Sequence, residues 1–554
     1  MPAEVPPGKP SSVTVGLHLR IPLDTMIALG VLALGSIGWL PYAVRAGFLY
    51  DDWTFVAASK FHTVTVPLYR PFGAILGVVD YWLGGDRPLI WYLSVVILFA
   101  GFAALLYAAL RTLHLWRGAA LASSLLLLVF PYADSQRLWW ADCLLSASFC
   151  VALISVIIGR RWILRRTRAW VWFSLSLTLV AISVLFYEAA AAIVLLPITL
   201  IFLSPSWTRR RTLLKLAADL VVVLIVWLFD FRAALSSGLR TARPLSSYPG
   251  RIVALIHEGY DLFVHRMLGA VTWWEVLLGV ATGTSVLGLL LARNGRVSHA
   301  RDSEPRSGAP LAWWTLPATL CLLAAGAVAA WMPYAPAGDY YSPLLLGVGN
   351  RVNGAAAPFI VIALALIAAL PLGCVRLPRA AWLGLVGLTT AITVALAASF
   401  VDSSYLSARE WANATATRDV IYAELQAVSP HVRPGDVVAL GDYNAYFGAD
   451  WVPVVAASWD ANAIAQVAVG TSSVTGIMLL PTDQCAPTGL VDPGTGGAGS
   501  GLPGAGRLPS GMTIIDYGRI YTIDVDRNRD VVFTSRAQCL TLLPELSVRL
   551  FPAP

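Results

Sequence analysis

Apolar runs that approach or exceed the roughly 18 residues needed to span a bilayer recur along this chain as far as residue 400. Of its 554 residues, 57% are hydrophobic and 13% are charged, whereas soluble domains carry about 25% charged residues. These runs exclude a single soluble globule, a disordered chain and a small secreted disulfide scaffold. We interpret the chain as a polytopic membrane protein.

Stretches of about 17–23 apolar residues, each counted as one crossing, predict about eleven transmembrane helices. Their approximate limits are 25–43, 89–110, 118–131, 139–159, 170–186, 189–204, 213–230, 271–292, 311–332, 355–373 and 381–400. The connections between them alternate, because every second one is rich in basic residues. These residues are Arg111 and Arg117, then Arg160, Arg161, Arg165, Arg166 and Arg168, then Arg209, Arg210, Arg211 and Lys215, then Arg293 through Arg306, and finally Arg376 and Arg379.

The positive-inside rule places the basic connections in the cytoplasm. The N-terminal tail, residues 1–24, is then inside and shows no cleavable signal peptide, and everything after residue 400 is outside. The net charge of +7 does not predict nucleic-acid binding, because the basic residues lie between apolar spans. The dominance of arginine over lysine indicates a GC-rich bacterial genome, so we expect the bacterial plasma membrane.

Two outer connections, residues 44–88 and 231–270, are long and aromatic, as is typical of segments that lie along a membrane surface. The transmembrane domain with its outer loops therefore covers residues 25–400, and any chemistry is expected on the outer face.

Residues 401–554 are the only part of the chain that predicts a soluble domain. A helical pattern covers Ser407–Val428, and a Gly- and Pro-rich loop covers Asp492–Gly506. Short strand-like runs lie at Val437–Leu440, Gly476–Leu480, Met512–Ile515 and Arg519–Ile523. The predicted fold class is an all-α polytopic membrane protein followed by a small soluble α/β extracytoplasmic domain.

Cys485 and Cys539 are the two cysteines of this external domain. An oxidising exterior predicts a disulfide between them, worth about 4 kcal/mol in the chain-entropy model. The chain has no Cys or His spacing typical of a metal site. A divalent metal is possible but not indicated, and no cofactor is predicted with certainty.

The motif Tyr50-Asp51-Asp52-Trp53 follows the first span on the outer face. Two adjacent carboxylates at a membrane boundary are costly unless they are solvated or used, since each raises the pKa of the other. Asp51 or Asp52 is therefore a candidate general base. The alternative is that one of them only caps a surface helix.

Tyr69-Arg70-Pro71 and then Leu83-Gly84-Gly85-Asp86-Arg87-Pro88 follow along the same loop. A guanidinium opposite a carboxylate pair can hold a phosphate that the pair alone would repel. The alternative is an arginine that faces lipid headgroups.

The order of these motifs resembles the first outer loop of GT-C-type membrane glycosyltransferases, most closely the transmembrane O-mannosyltransferase-like family and its bacterial relatives. Phe130-Pro131 before Trp139-Trp140-Ala141-Asp142-Cys143-Leu144-Leu145, and Phe186-Tyr187-Glu188-Ala189 before Leu195-Leu196-Pro197, resemble later motifs of that family. The similarity covers roughly residues 48–200. Tyr187 stands where the family often has Lys, Phe130 stands where it has His, and the tetratricopeptide array is missing.

The resemblance implies a GT-C fold and sugar transfer from a polyprenyl-phosphate donor on the non-cytoplasmic side. A residue at the position of Asp51, or its neighbour Asp52, would deprotonate the acceptor hydroxyl, and inversion at the anomeric carbon follows. Tyr69 and Tyr187 are predicted to bind substrate beside Arg70, and Glu188 to orient a cation or bind the acceptor.

Other residues on the outer face are weaker candidates for donor or substrate binding. Asp134 and Arg137 lie in a short turn that is equally explained as a solvated hairpin, and Arg351 could reach the donor phosphate or simply anchor its helix. His257 lies near the basic Arg266 and shares a helical face with Asp261 and His265, a spacing that a metal site or a polar interfacial face both explain.

The predicted function is an inverting glycosyltransferase that moves mannose or arabinose to an acceptor hydroxyl of a cell-envelope glycan or protein, with membrane lipids as further partners. One alternative is a lipid-linked glycan transporter or flippase. Transporters often have charged residues within their membrane spans, and in this sequence Asp219 is the single carboxylate deep in a span, which disfavours this alternative. The other is a non-catalytic accessory subunit of a cell-envelope glycan machine.

Overall fold

The computed structural model describes residues 22–62, 70–164, 169–203, 209–236, 245–267, 269–292, 315–344, 347–368, 379–448, 451–492, 513–527 and 529–549. Helices account for most of these residues, and the strands within the described ranges all lie beyond residue 436. Tyr69, most of the N-terminal tail and residues 493–506 of the predicted loop lie outside the described residues.

The helices follow the predicted apolar stretches closely. They are α1 (Leu23–Arg45), α2 (Asp52–Lys60), α3 (Pro71–Gly84), α4 (Pro88–Thr112), α5 (Arg117–Leu128), α6 (Ser135–Leu138), α7 (Trp140–Leu164), α8 (Ala169–Phe186), α9 (Leu196–Thr199), α10 (Arg209–Ser236), α11 (Tyr248–Asp261), α12 (Trp273–Ala292), α13 (Thr315–Trp331), α14 (Arg351–Ala368), α15 (Arg379–Val428), α16 (Ser458–Val469) and α17 (Arg536–Leu546). Shorter helical turns include Pro131–Ala133, Glu188–Leu195, Leu262–Met267 and Met332–Tyr340.

Within the described residues, eight helices are long and apolar enough to cross a membrane. Three shorter apolar helical segments, Arg117–Leu128, Glu188–Leu203 and Trp273–Leu289, coincide with the other three predicted stretches. These helices support a multi-pass membrane protein. The number of crossings and their orientation stay predictions.

The helices differ in how much of their surface the bundle encloses. α4 packs against α1 and α7, α7 packs against α8, and α13 packs against α14. α14 is largely enclosed, whereas α1, α8 and α10 expose most of their apolar side chains. An exposed apolar stripe of this length suits contact with lipid.

The first outer connection, residues 44–88, contains α2 and α3. Asp80 of α3 accepts hydrogen bonds from Ser94 Oγ of α4 at 2.7 Å and from Trp140 Nε1 of α7 at 2.7 Å. This buried carboxylate therefore fastens the loop to the helices beneath it. The second connection, residues 231–270, contains α11, which buries Gly259 against Trp331 of α13.

α15 contains 50 residues and is about 75 Å long. It runs without a break through residue 400, where we placed the boundary between the membrane and soluble parts. The helix predicted at Ser407–Val428 is thus the continuation of the last apolar span. Separate folding of residues 401–554 stays a prediction.

The C-terminal region has an α/β arrangement within its described residues. Its strands are β1 (Val437–Gly441), β2 (Tyr446–Phe447), β3 (Val452–Pro453), β4 (Thr475–Met478), β5 (Gln484–Cys485), β6 (Gly489–Asp492), β7 (Thr513–Asp516), β8 (Ile520–Asp524) and β9 (Arg529–Val532). The larger sheet has the order β4-β1-β8-β9, with β1 parallel to both neighbours and β9 antiparallel to β8. The four strands predicted from sequence are confirmed as β1, β4, β7 and β8.

The C-terminal region contains an internal disulfide and packs against the first outer connection. A disulfide joins Cys485 of β5 to Cys539 of α17, with their Cα atoms 5.9 Å apart. α16 packs against α2, and Lys60 Nζ at the end of α2 donates to the carbonyl of Val467 at 3.2 Å. Residues more than 400 positions apart in the sequence therefore meet at this loop.

Candidate active site

Asp51 and Asp52 follow a tight turn between α1 and α2. Tyr50 adopts a φ of 48°, which is uncommon for a residue with a Cβ. Asp51 occupies the position before the first residue of α2, yet its carboxylate makes no capping hydrogen bond. Helix capping therefore does not account for Asp51, and the two neighbouring carboxylates have different surroundings.

Asp52 is completely buried. Its Oδ1 accepts from the backbone N–H of Ala141 at 2.9 Å, and its Oδ2 accepts from that of Leu49 at 3.2 Å and lies 3.0 Å from Tyr92 Oη. Burial raises the pKa of Asp52 to about 8 in spite of these hydrogen bonds. Tyr92 also donates to the carbonyl of Gly47 at 2.8 Å, so a proton on Asp52 would satisfy both groups. Asp52 thus ties the loop to α4 and α7.

Asp51 is half-buried, and its Oδ2 is not enclosed by the protein. Trp459 Nε1, from α16, donates to Oδ1 at 2.9 Å. Within the described part of the chain, Oδ2 accepts no hydrogen bond. Burial raises the pKa of Asp51, opposed first by the positive charge of Arg351, then by the Trp459 hydrogen bond and the charge of Arg70. A half-buried carboxylate with a raised pKa and an open oxygen has the properties of a general base.

Two further carboxylates lie close enough to affect Asp51 electrostatically. The charge of Asp142, in the first turn of α7, contributes to the raised pKa of Asp51. Asp460, next to Trp459, is fully buried, and burial together with the charge of Asp51 raises its pKa well above the usual range. Asp51 therefore sits where negative charge is disfavoured unless the arginines offset it.

Arg70 is held by residues from a different outer connection. Its Nε and Nη2 donate to the two carboxylate oxygens of Glu188 at 2.9 and 2.7 Å. Its guanidinium also lies over the ring of Tyr187, 3.7 Å from the centroid. Bidentate pairing and ring stacking leave the cation little freedom. We predicted that Glu188 orients a cation or binds the acceptor, and its functional role stays a prediction.

Arg351, the first residue of α14, is enclosed by aromatic rings. Its guanidinium lies 4.6 Å from the ring centroid of Trp139 and 5.4 Å from that of Tyr341. Asp142, nearby, accepts from Ser135 Oγ at 2.7 Å. We call Asp51, Arg70, Asp142, Arg351 and Trp459 the Asp51 cluster. Its members come from five separate segments of the chain.

Asp134 and Arg137 are held by their own buried partners. Asp134 Oδ2 accepts from Ser407 Oγ at 2.6 Å and Trp411 Nε1 at 2.8 Å. Arg137 donates to the carbonyl of Phe130 at 2.6 Å and to Ser404 Oγ at 2.9 Å. All these contacts are buried, and three of the four reach α15. We therefore assign the pair to holding α15 against the loop before α7, rather than to the solvated hairpin or the substrate contact predicted from sequence.

His257 and Arg266 lie on the second outer connection and are exposed. His257 and His265 approach Asp261 at 3.6 and 4.0 Å. Across the described residues, no group of three His, Cys, Asp or Glu side chains is arranged to hold a metal ion. Asp219, the carboxylate deep in a span, pairs with Lys215 one turn earlier on α10.

Sequence reasoning overlooked two members of the cluster. Asp142 belongs to a motif that carries the family resemblance, but it was not selected as a site residue. Trp459 had no signal, because an aromatic residue in a soluble region has nothing to link it to a loop about 400 residues earlier. Only the packing of α16 on α2 brings Trp459 to Asp51.

Comparisons with known proteins add a resemblance at the level of the overall chain. No family model matches the sequence, and no curated protein matches it. The chain is similar to the solved structure of ArnT from Cupriavidus metallidurans in the apo state, with 13% identity and a TM-score of 0.42 over 94% of this chain and 95% of that one. For the same protein bound to undecaprenyl phosphate, the identity is 13% and the TM-score 0.38 over 83% and 87% of the two chains.

The apo oligosaccharyltransferase of Archaeoglobus fulgidus is also similar, with 13% identity and a TM-score of 0.40 over 81% of this chain and 64% of that one. At TM-scores below 0.5 these matches specify neither the residues nor the substrates of this chain.

Proposed function

We propose that the chain is an inverting glycosyltransferase that moves a sugar from a polyprenyl-phosphate donor to an acceptor hydroxyl on a cell-envelope glycan or protein, at the outer face of the bacterial plasma membrane. The observation that carries the proposal is the Asp51 cluster, in which one accessible carboxylate lies beside two immobilised arginines. The cluster is next to apolar helices, where a lipid-linked donor would lie.

In the proposed reaction, Asp51 Oδ2 takes the proton of the acceptor hydroxyl as the acceptor oxygen attacks the anomeric carbon. The bond between that carbon and the donor phosphate breaks, and its electron pair stays on the phosphate oxygen. Polyprenyl phosphate leaves from the face opposite the attack, so the configuration at the anomeric carbon inverts. A carboxylate with a raised pKa is better suited to this proton transfer than an unperturbed one.

The arginines act on the leaving group in this proposal. Negative charge grows on the phosphate during transfer, so a fixed cation stabilises the transition state more than the bound donor. Arg70 is already clamped by Glu188 and Tyr187, and Arg351 is enclosed by two rings. Because Glu188 offsets part of the charge of Arg70, we expect the phosphate to bind closer to Arg351.

Asp52 and Trp459 are positioning residues in this proposal. Both oxygens of Asp52 are occupied inside the protein, so it cannot reach an acceptor, but it sets the backbone of the turn that carries Asp51. Trp459 fixes one oxygen of Asp51 and leaves the other for the acceptor. Mannose and arabinose are both compatible with the cluster.

The test is transfer of radiolabelled sugar from polyprenyl-phosphate-mannose and polyprenyl-phosphate-arabinose to an envelope glycan extract by the purified full-length chain. We expect incorporation from one donor by the wild type, and its loss in Asp51→Asn. Asp86→Asn is the matched control, because Asp86 is an exposed carboxylate of the same loop and, among the described residues, forms its ion pair with Lys60 at the end of α2, at 3.5 Å.

Equal activity of Asp51→Asn and the wild type would overturn the assigned base. Absence of incorporation from either donor, while both lipids bind, would overturn transfer and favour an accessory subunit.

A further inference from the structure

A large groove lies on the membrane-facing side of α1, α5 and α15. Its volume is about 910 Å³, within the range of sites that bind small organic ligands. Leu34, Trp39, Leu125, Val129, Ala397 and Val401 represent its mostly apolar lining. A groove of this composition in the apolar part of a membrane protein suits a hydrocarbon chain.

Two arginines line the groove, each on the C-terminal side of the apolar part of its helix. Arg45 is the last residue of α1, and Arg409 lies on α15 beyond its apolar half. Within the described part of the chain neither arginine forms an ion pair, and both are exposed. Nearer the N-terminus of each helix, the groove is lined by Leu34 and Thr393, without a charge.

The groove follows both α1 and α15. Along α1 it extends from Leu34 to Arg45, a rise of about 16 Å, and along α15 from Thr393 to Asn413, a rise of about 30 Å. Half of the bilayer core of roughly 30 Å is about 15 Å. A lipid whose phosphate lies at the arginines would therefore place its acyl chain beside α1 as far as Leu34.

We propose that this groove binds an acidic phospholipid, with its phosphate at Arg45 and Arg409 and an acyl chain between α1, α5 and α15. Guanidinium groups bind phosphate through charge-assisted hydrogen bonds, and exposed cations near a membrane surface attract acidic lipids. The proposal does not depend on the proposed transfer reaction.

The loop before α7 separates this groove from the Asp51 cluster. On the groove side, Tyr42 Oη donates to the carbonyl of Leu138 at 2.5 Å, and the Arg137 guanidinium lies 4.8 Å from the ring of Trp39. On the other side, Trp139 contacts Tyr50 and Arg351. A headgroup at Arg45 is thus on the far side of this loop from Asp51, which distinguishes the bound phospholipid from a sugar donor.

A second groove, which shares Ala397, Val401 and Tyr405 with the first, provides a comparison within the molecule. Trp274 and Leu278 of α12 line it together with Val401 and Asp402 of α15. It is also apolar, but its only charged lining residue among those described is a carboxylate, which disfavours an acidic headgroup. The two grooves are therefore alike in their apolar lining and differ in the sign of the charged residues that line them.

The headgroup is tested by native mass spectrometry of the full-length chain released from bilayers that contain equal phosphatidylglycerol and phosphatidylcholine, with a small fraction of undecaprenyl phosphate. We expect the wild type to retain phosphatidylglycerol in several-fold excess over phosphatidylcholine, and Arg45→Gln/Arg409→Gln to retain both equally. Arg87→Gln/Arg433→Gln, which removes two exposed arginines elsewhere, is the control and should keep the excess.

The acyl-chain position is tested by filling the groove from α1. Gly38 lines the groove, and a Cβ atom at this position would have no neighbouring heavy atom within 4 Å among the described residues. We expect Gly38→Leu to lower retention of phosphatidylglycerol several-fold. Gly30→Leu is the matched control, because Gly30 lies on the same helix outside the groove and is equally open.

Either of two results would overturn the proposal. One is retention without headgroup preference, or a preference that the arginine variant keeps. The other is retention of undecaprenyl phosphate in place of phosphatidylglycerol, which would replace the phospholipid with a polyprenyl phosphate.

Discussion

Two clusters at the ends of the apolar helices contain the same residue types and differ in which of their polar atoms stay accessible. In the Asp51 cluster, the carboxylate accepts from Trp459 at 2.9 Å and keeps its second oxygen open. In the second cluster, Asp134 accepts from both Ser407 and Trp411 through one oxygen and is 1% exposed, as is Arg137. Each contains a carboxylate, an arginine and an indole donor.

The comparison teaches that residue type and side of the membrane do not define an active site. Both clusters satisfied the sequence criterion of a carboxylate and an arginine near the outer face. Hydrogen bonds from α15 close the second cluster, so it can contribute stability but cannot accept a proton from a substrate. The Asp51 cluster gathers charges from separate segments around one accessible oxygen, which is costly for stability and useful for chemistry.

The largest expected effect separates the two carboxylates. Asp51→Asn should lower sugar transfer by about 10²–10⁴-fold, the usual contribution of a general base, with no change in thermal unfolding. Asp134→Ala should instead leave two buried donors without an acceptor, at about 1–3 kcal/mol each. Transfer assays and thermal unfolding in detergent measure the two effects. A similar loss of stability in both variants would remove the distinction.

Asp52 should contribute to the pH dependence of the free energy of unfolding. Its pKa is about 8 in the folded protein, whereas an unperturbed aspartate carboxyl has a pKa of 3.8. Between these values the folded state binds one more proton than the unfolded state, so the free energy of unfolding falls as pH rises, by about 1.4 kcal/mol per pH unit at most. Asp52→Asn should flatten this part of the profile, measured by thermal unfolding from pH 5 to 8. An unchanged slope would show that Asp52 is ionised in the folded protein.

The two arginines should differ in the same way as the carboxylates. Arg70→Lys loses the bidentate contact and the stacking on Tyr187, and we expect kcat/KM for the donor to fall about tenfold. Arg137→Lys should reduce stability by about 1–3 kcal/mol, because a buried hydrogen bond is lost, without changing kcat/KM in the surviving folded protein. A steady-state comparison with equal amounts of folded enzyme measures this. Equal kinetic losses would place Arg137 in the substrate site.

The smallest expected effect concerns the indole donors. Trp459→Phe keeps the ring and removes the N–H that favours ionised Asp51, so the acid limb of the kcat/KM profile should move up by about one pH unit. Activity well above that limb should be nearly unchanged. Trp411→Phe is the counterpart and should lower stability by about 1 kcal/mol with no shift of the profile. A uniform loss of activity at all pH values would indicate that Trp459 has only a structural role.

The sequence predicts the helical part of the fold well, because long apolar runs are a local signal. Each predicted stretch coincides with a helix or helical segment, and four strands of the C-terminal region are confirmed. α16 was missed because residues 460–467 are buried all round. Its polar residues Asp460, Asn462 and Gln466 are buried together with its apolar ones, so no exposed polar face gives the sequence an amphipathic pattern. The short strands β2, β3 and β5 contain only two residues each, too few for alternation to show.

The candidate site was predicted in part for a related reason. Asp51, Arg70, Glu188 and Arg351 attract attention because charges are rare beside apolar spans. Their grouping depends on contacts across more than 100 residues, such as that between Arg70 and Glu188. Asp134 and Arg137 were selected for the same reason, and nothing in the local sequence distinguishes them from the members of the Asp51 cluster.

By itself the sequence determined a multi-pass helical membrane protein, an α/β region after it, and a short set of charged residues on which outer-face chemistry could depend. The tertiary structure decided which of these residues share a site, because packing of α16 on α2 brings Trp459 to Asp51 and packing of α15 closes Asp134 and Arg137. It also decided the difference between Asp51 and Asp52. Hydrophobicity is a property of each segment, whereas the environment of a carboxylate depends on distant segments that fold around it.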